Sequence, residues 1–419
     1  MKFEWKEYTI GDLCDTISDT YKRNDEEVIL INTSDVLDGN VLNHKAVKNK
    51  NLKGQFKKTF RHNDILYSEI RPANKRFAFV DFDNTEKYIA STKLMVLRAH
   101  EDVVLPQYLF AILKSQKVIE TLQHLAETRS GTFPQITFSS ELAPMNVMLP
   151  DIVTQKQIIA ILSVIECKIK LNNEINANLE QQAQAIFKSW FVDFEPFDEI
   201  MINSPMNYQV PQSLKIVQIS EIPHILETGK RPKGGAVSEG ILSIGAENVK
   251  QLGKVDFSSA KYIPVEFAAN MKKGEVHGYE VMIYKDGGKP GTFIPHFSMF
   301  GEGFPCDQFF INEHVFKLDF GNHGYNEFCY FYLQTDYAYN WLANNGTKAA
   351  VPGINQQDIN SIWIPHPNNP QVKKFCEWVQ PIFTTILRNC TQNVKLVKLR
   401  DTLLPKLMSG EIDVSDITI

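Results

Sequence analysis

The sequence lacks the features that mark secreted, zinc-binding and membrane-spanning proteins. Its six cysteines, among 419 residues, include no Cys-x-x-Cys pair, which argues against a zinc site or a disulfide framework and for reduced thiols. No apolar run reaches the ~18 residues that a membrane helix needs, and the N-terminus has no signal-peptide core. We therefore expect a protein that makes no membrane contact and stays in the cytoplasm.

Motifs of common enzymes are missing as well. There is no G-x-x-x-x-G-K-[ST] phosphate loop, no complete G-x-G-x-x-G, no N/D-P-P-F/Y of amino-methyltransferases and no H-E-x-x-H. Pro150-Asp151 followed by Glu166 and Lys168 has the form of a nuclease P-D…E-x-K motif. The heptad pattern described below places Glu166 and Lys168 in one helix, however, where residues two apart do not face each other. We expect no catalytic residue and no metal ligand in this chain.

The net charge of −5 is unusual for a nucleic-acid-binding protein, but the charges are distributed unevenly. Residues 44–62 contain seven Lys or Arg and no acid, and residues 228–238 contain Lys230, Arg231 and Lys233 and again no acid. Local basic surface, rather than net charge, is typical of DNA binding. A solvated lysine face is the alternative interpretation of each run taken alone.

The globular parts of the chain repeat themselves at an offset of about 213 to 218 residues. V-I-L-I-N-T-S-D-V at 28–36 resembles I-L-S-I-G-A-E-N-V at 241–249, D-I-L-Y-S-E-I-R-P at 64–72 resembles E-V-M-I-Y-K-D-G-G at 280–288, and F-P-Q-I-T at 133–137 resembles V-P-G-I-N at 351–355. Short apolar runs predict strands at 28–31, 77–80, 94–97 and 281–284, and longer ones predict helices at 108–115 and 328–335. The pattern indicates two similar mixed α/β domains.

A heptad pattern follows each globular part, after Leu149-Pro150 and after Ile364-Pro365. Apolar residues and two asparagines recur at alternating spacings of four and three, and adding 217 to each number of the first series gives the second. Nine of the ten pairs match in character, and Arg400 in place of Ala183 is the exception. The first seam comprises Ile158, Leu162, Ile165, Ile169, Asn172, Asn176, Leu179, Ala183, Ile186 and Trp190, and the second comprises Phe375, Val379, Ile382, Ile386, Asn389, Asn393, Leu396, Arg400, Leu403 and Leu407.

These seams predict two helices of roughly forty residues, each about 60 Å long. Because the first helix leads away from the first domain and the second must return, we expect an antiparallel pair with the two seams buried against each other. An Asn at a seam position lowers stability but fixes register, although ordinary core packing with tolerated polar residues is an alternative. Pro381 predicts a kink in the second helix or a late start.

Two segments carry a resemblance to a known family. F-K-S-W-F-V-D-F-E-P-F at 187–197 resembles the end of the central helical region in specificity subunits of type I restriction-modification systems. L-R-D-T-L-L-P-K-L-M-S-G-E-I at 399–412 resembles the end of their C-terminal helical region. The resemblance in layout covers the whole chain. It implies an α+β protein with a first target-recognition domain at 1–150, a central helical spacer at 151–194, a linker and second target-recognition domain at 195–365, and a C-terminal helical spacer at 366–419.

The resemblance also implies the function and the partners. Each recognition domain would contact one half of a bipartite target in double-stranded DNA. The helices, as an antiparallel coiled coil, would set the spacer and dock two adenine methyltransferase subunits, and restriction subunits through them. This subunit would hold no cofactor, since S-adenosylmethionine, ATP and Mg²⁺ are expected in the partner subunits.

Polar loops at equivalent places of the repeat are the candidate DNA contacts. Arg and Lys can bind guanine edges, Asn can bind adenine, and Thr or backbone amides can hold phosphates. A solvated loop charge is the alternative for each residue alone. In the first domain the candidates are Lys22, Arg23, Arg71, Asn74, Lys75, Arg76, Arg129 and Thr132, and in the second they are Lys230, Arg231, Lys233, Lys285, Lys289, Thr347 and Lys348.

Two other classes of function stay open at this point. The first is a stand-alone DNA methyltransferase or nuclease with an unrecognised site, against which the missing motifs count. The second is a structural coiled-coil adaptor that does not contact DNA. The bases of the target depend on loop geometry that the sequence does not reveal.

Overall fold

A computed structural model of the chain describes residues 5–50, 52, 54–128, 134–347 and 351–414. The chain divides into two compact units. Unit 1 comprises Met1–Cys167 and Lys398–Ile419, and unit 2 comprises Lys168–Val397. Each unit takes in a part of both long helices, whereas the domain boundaries predicted from the sequence separate helices from globular segments. Those boundaries stay a prediction.

Unit 1 is built from short strands and three helices that precede the first long helix. Helix α2 is buried on nearly every side, and α3 buries only the stripe Val118, Ile119, Leu122 and Ala126, as expected of an amphipathic helix at the surface. The strands are β1 (Lys6–Thr9), β2 (Cys14–Ile17), β3 (Glu27–Ile31), β4 (Val36–Leu37), β5 (Asn40–Val41), β6 (Ala46–Lys48), β7 (Phe56–Lys58), β8 (Ile65–Ser68), β9 (Phe77–Phe79), β10 (Tyr88–Ser91), β11 (Leu94–Ala99) and β12 (Asn146–Leu149), and the helices are α1 (Ile10–Leu13), α2 (Pro106–Leu113) and α3 (Gln116–Thr128).

Helix α4 (Ile152–Phe191) leads from unit 1 into unit 2. The second long helix, α9 (Pro370–Met408), is the last element in the chain order. The strands of unit 2 are β13 (Met201–Asn203), β14 (Gln209–Pro211), β15 (Ile216–Gln218), β16 (Ile225–Thr228), β17 (Ile241–Ile244), β18 (Lys261–Ile263), β19 (Val281–Tyr284), β20 (Phe297–Met299), β21 (Phe309–Ile311), β22 (Val315–Asp319) and β23 (Trp363–Pro365). The remaining helices are α5 (Val265–Ala269), α6 (Tyr325–Tyr332), α7 (Asp336–Gly346), α8 (Gln356–Asn360) and α9 (Pro370–Met408).

The sheets of the two units have corresponding strand orders. An antiparallel sheet of order β2-β11-β8-β9 in unit 1 corresponds to β16-β22-β19-β20 in unit 2. A second sheet contains one parallel pair, β3 with β10 in unit 1 and β17 with β21 in unit 2. The pairs β1-β12 and β15-β23 also correspond, while β4-β5 and β13-β14 are separate two-stranded ribbons. The repeat in the sequence is therefore a repeat of strand connection as well.

Within unit 2, α4 and α9 pack along the predicted seams. Val379, Ile386 and Ala183 are buried in one core cluster with Phe187 and Phe375. The seam asparagines pair in antiparallel order, because Asn172 donates to the Asn393 side chain at 2.8 Å and Asn389 donates to the Asn176 side chain at 2.9 Å. Ile169, Leu179, Ile186, Ile382 and Leu396 are half-buried.

Within unit 1, the other ends of the same helices share a core with the strands. Ile158 and Leu162 of α4 lie in one buried cluster with Leu404 and Leu407 of α9, and Leu403 packs against that cluster. The cluster also contains Tyr67 of β8 and Tyr108 of α2. The ends of both long helices therefore pack in the same core as the sheet β2-β11-β8-β9 and α2.

The predicted short elements are present in the structure. The apolar runs at 28–31, 77–80, 94–97 and 281–284 lie in β3, β9, β11 and β19, and the two predicted helices are α2 and α6. The mixed α+β class is therefore confirmed. A late start of the second helix at Pro381 was wrong, because α9 begins at Pro370 and continues through Pro381, which is exposed.

Candidate nucleic-acid interface

Backbone hydrogen bonds join the loop after β19 to two neighbouring segments of unit 2. The Lys285 N–H, just after β19, donates to the His314 carbonyl at 3.0 Å in the turn between β21 and β22. The Lys285 carbonyl accepts from the Ile354 N–H at 2.8 Å, and the Gly287 N–H donates to the Pro352 carbonyl at 2.9 Å. The loop after β19 is thus held between the turn 312–314 and the segment 352–354.

A chain of charged side chains runs along the same loops. Arg231 contacts Glu313 at 3.3 Å, and His314 lies 3.4 Å from Glu313 and 2.5 Å from Asp286. Lys285 contacts Asp286 at 2.8 Å. The cations of Arg231 and Lys285 are therefore neutralised inside unit 2. These contacts connect the loops 229–233 and 285–289 through the turn 312–314.

Asp286 is the centre of this charged chain. Burial alone would raise the pKa of the Asp286 carboxyl, but the hydrogen bonds from Lys285 and His314 outweigh that effect and lower the pKa below its ordinary value of 3.8. The carboxyl therefore stabilises the folded loops at every pH above that ordinary value, and this contribution is lost only as the pH falls through the lower folded value.

Unit 1 forms the same backbone ladder at the corresponding loops. The Glu69 N–H donates to the Lys93 carbonyl at 3.0 Å, and the Glu69 carbonyl accepts from the Ile136 N–H at 2.8 Å. The Arg71 N–H donates to the Pro134 carbonyl at 3.2 Å. These are the residues that the sequence repeat aligned with Lys285, Ile354, Gly287 and Pro352. The side chains differ, since one ion pair, Lys93 with Glu69 at 3.4 Å, takes the place of the charged chain of unit 2.

The structure separates the candidate DNA contacts into two groups. In the first group, each side chain has a partner within the protein. Arg23 contacts Asp25 at 3.0 Å. The Arg76 guanidinium donates to the Ser34 carbonyl at 3.1 Å, and the Thr347 hydroxyl donates to the Asn344 carbonyl at 2.9 Å. In the second group, exposed side chains make no hydrogen bond or ion pair within the described part of the chain. These are Lys22, Asn74, Lys75, Lys230, Lys233 and Lys289.

The other candidates fall outside both groups. Arg71 is exposed and has a left-handed backbone, with φ of 46°, at the start of a short 3₁₀ turn. Arg129, Thr132 and Lys348 lie outside the described residues. In the basic run 44–62, Lys58 is directed inward, because its ammonium donates to the Leu94 carbonyl at 2.8 Å and burial lowers its pKa.

Sequence reasoning missed Glu313 and His314. They lie in a short turn between two apolar strands, and a charged turn of this kind carries no periodic signal. The backbone hydrogen bonds make this turn equivalent to the turn 91–93 of unit 1, but the sequence does not indicate that its side chains reach Arg231 and Asp286.

The residues that resemble a nuclease motif have structural contacts. The Asp151 carboxylate accepts a hydrogen bond from the Thr154 N–H at 2.8 Å at the start of α4, and Glu166 forms an ion pair with Lys114. In the described ranges, no group of three or more His, Cys, Asp or Glu side chains is arranged to hold a metal ion. No helix among the described residues is long and apolar enough to cross a membrane.

Comparison with known proteins identifies the family. A model described as the type I restriction modification DNA specificity domain matches residues 2–181. The specificity subunit of the type I restriction enzyme HindI from Haemophilus influenzae is 32% identical over 98% of this chain and 100% of that protein. The chain belongs to the type I restriction enzyme specificity subunits.

Further relatives agree with this family. The type I restriction enzyme MjaIX specificity subunit from Methanocaldococcus jannaschii is 26% identical over 76% of this chain and 71% of its own length. The crystal structure of the S subunit of a type I restriction-modification system from M. genitalium shares the fold, with a TM-score of 0.55 at 17% identity over 97% of this chain and 96% of that one.

The charged chain of this specificity subunit can be tested by removing its central carboxyl. Asp286→Ala removes the carboxyl that Lys285 and His314 both contact, so we expect unfolding at pH 7 to become easier by about 1–2 kcal/mol. Backbone amides of 285–289 and 352–354 should also exchange hydrogen faster. Lys289→Ala, which removes a side chain without an internal partner, is the matched control and should change neither quantity. Unchanged exchange in Asp286→Ala would contradict a role for this carboxyl in holding the loops.

Proposed function

We propose that this chain is the non-catalytic DNA-recognition subunit of a type I restriction-modification complex, and that each unit recognises one half of a bipartite double-stranded target. The observation that carries the proposal is the backbone ladder present in both units, which brings basic and polar loops to equivalent places. Exposed lysines on these loops, Lys75 in unit 1 and Lys230, Lys233 and Lys289 in unit 2, suit contact with DNA phosphates and base edges.

The proposed domain organisation follows the sequence boundaries. Target-recognition domains at 1–150 and 195–365 alternate with helical spacers at 151–194 and 366–419. The spacers form an antiparallel coiled coil that sets the distance between the two half-sites, much as the geometry of a dimeric DNA-binding protein fixes half-site spacing. The antiparallel asparagine pairs within unit 2 support this part of the proposal.

The partners are proposed to be two adenine methyltransferase subunits, which carry restriction subunits in turn. S-adenosylmethionine, ATP and Mg²⁺ belong to those partners and not to this chain. A surface suited to docking lies on α4 in unit 2, where Leu171 and Ile175, one turn apart beside the buried seam, are 49% and 37% exposed. Exposed apolar side chains on one helix face are typical of a protein contact.

The DNA-binding proposal predicts how salt affects affinity. We expect Lys230→Glu, Arg231→Glu and Lys233→Glu together to weaken binding of the assembled complex to its target. Each lost phosphate contact lowers the slope of log affinity against log salt by about one. Because Arg231 is already paired with Glu313, the slope should fall by about two and not by three. Lys285→Met, whose cation is neutralised by Asp286, is the control and should leave the slope unchanged.

Fluorescence anisotropy with a labelled duplex at several salt concentrations measures both quantities. Unchanged affinity and unchanged slope in the triple variant would contradict DNA contact by the loop 229–233. A slope change in Lys285→Met would contradict the assignment of that cation to internal pairing.

The docking proposal predicts an assembly defect. Leu171→Glu with Ile175→Glu places two charges on the exposed face of α4, where they would have to be buried without a partner in a complex. We expect the variant to fold normally and to lose stable association with the methyltransferase subunits in size-exclusion chromatography. Gln181→Glu with Gln184→Glu, at exposed polar positions on a different face of the same helix, should assemble normally. An intact complex with the first variant would rule out this helix face as the docking surface.

A further inference from the structure

One position in the antiparallel sheet β16-β22-β19-β20 of unit 2 carries a buried charge where unit 1 has an apolar residue. Lys317 in β22 is 5% exposed and pairs with Glu227 in β16. The corresponding pair in unit 1 is Val96 in β11 with Ile17 in β2. The correspondence is fixed because Val96 is opposite Leu66 and Lys317 is opposite Met282, each the third residue before the ladder residues Glu69 and Lys285.

The buried lysine joins β22 to two other segments. Its ammonium lies 3.0 Å from the Glu227 carboxylate and donates to the Glu275 carbonyl at 2.5 Å. The same Glu227 oxygen accepts the Gly274 N–H at 2.9 Å. Glu280, at 3.9 Å from Lys317, is bound separately by the backbone N–H groups of 277 and 278. The Lys317–Glu227 pair therefore fixes the backbone at 274–275.

Segment 274–275 lies against the start of the basic loop 229–233. Gly274 has a φ of 85°, and a Cβ there would lie 2.7 Å from the Gly229 Cα. A Cβ on Gly229 would lie 1.6 Å from the Ile311 carbonyl oxygen. Both positions therefore need glycine because the backbones are too close for a side chain. This contact brings the segment before Gly274 next to Lys230.

Two lysines stand at that segment. Lys272 and Lys273 are exposed, and within the described residues their side chains have no hydrogen bond or ion pair. They precede Gly274 directly, as Lys230 follows Gly229 directly. Two turns that touch at their glycines thus present basic side chains from separate parts of the sequence.

We propose that Lys272 and Lys273 are further DNA-phosphate contacts of unit 2, and that Lys317 and Glu227 are positioning residues that hold them beside Lys230. This inference rests on the proposed function, since it assumes that the loop 229–233 meets DNA. It adds a second segment to that surface, at a place where the sequence repeat aligned no candidate residue.

The equivalent pair in unit 1 indicates what the ion pair adds in unit 2, namely the position of the segment 274–275. A buried ion pair contributes little stability relative to apolar residues of similar size, because removing two charges from water offsets most of their attraction. Val96 and Ile17 fill the equivalent place in unit 1 without a charge. What the apolar pair lacks is a hydrogen bond to a neighbouring segment, and Lys317 and Glu227 supply two.

The first experiment tests the phosphate contacts. In the assembled complex, Lys272→Gln with Lys273→Gln should weaken binding to the target duplex and lower the salt slope by about two. Lys215→Gln with Lys254→Gln removes two other exposed lysines of unit 2 and should leave the slope unchanged. If the triple variant of the loop 229–233 loses slope while Lys272→Gln with Lys273→Gln does not, the proposed function stands and this inference is overturned.

The second experiment tests positioning. Glu227→Ile with Lys317→Val transfers the apolar pair of unit 1 to unit 2. We expect the thermal midpoint of unfolding to stay within a few degrees, while binding to the target duplex weakens and the salt slope falls, as in Lys272→Gln with Lys273→Gln. Glu227→Gln keeps an acceptor for Gly274 and should retain affinity and slope. Unchanged affinity and slope in the apolar variant would overturn the positioning role, as would a fall in the unfolding midpoint that accounts for the loss of binding.

Discussion

The register of α4 and α9 in unit 2 depends on four asparagines in an otherwise apolar seam. Asn172 with Asn393 and Asn176 with Asn389 form two pairs, four residues apart on each helix and in opposite order. A slip of one heptad would keep the apolar contacts but leave these amides buried without partners, at about 1–3 kcal/mol for each unpaired group. The asparagines therefore select one alignment among several that the apolar residues would allow.

The rest of unit 2 follows from that alignment. Phe187 and Phe191 of α4 contact Phe375 of α9 and Phe328 of α6 in one aromatic cluster. Because both helices contribute to this cluster, a change in their register would disrupt the core on which the sheets of the unit pack. The seam thus fixes the globular part of the unit as well as the helices.

The two units support equivalent loops with the same backbone hydrogen bonds but place different side chains on them. The ladder of backbone hydrogen bonds at Glu69 and Arg71 is repeated at Lys285 and Gly287, yet the side chains on the two ladders differ. Backbone bonds do not depend on side-chain identity, so loops of this kind can change the groups presented to a ligand without loss of their support. This property suits the proposed recognition of two different half-sites by the two units.

Periodic features of the structure could be predicted from the sequence. Apolar runs locate β3, β11 and β19, and the four-and-three spacing locates α4 and α9, because burial imposes a period on the residues that face a core. A late start of α9 at Pro381 was wrong, since the helix continues through that exposed residue. The start of α9 depends on a single cap, in which the Asn369 side chain accepts from the Gln371 N–H at 2.9 Å.

Contacts between residues far apart in the sequence could not be predicted. Arg231 was a candidate DNA contact because it is basic and lies in a loop, but its acidic partner Glu313 comes from a different turn. Lys317 gives no signal in the sequence, where β22 reads as an ordinary apolar strand with one lysine. Such partners are determined by sheet order, and sheet order is not a periodic property of a sequence.

In the proposed function, the helix pair sets the spacing between two half-sites. A heptad inserted between Glu174 and Ile175, and another between Cys390 and Thr391, would lie opposite each other and leave both asparagine pairs intact. Seven residues add about 10 Å of helix, or roughly three base pairs of duplex. The measurement is the adenine-methylation motif of cells that carry the variant, determined base by base, with a variant extended in only one helix as the control.

For the doubly extended variant, we expect a methylation motif with unchanged half-sites and a spacer longer by about three base pairs. We expect no methylation in the control that is extended in only one helix. Normal methylation at the original spacer in the doubly extended variant would contradict it.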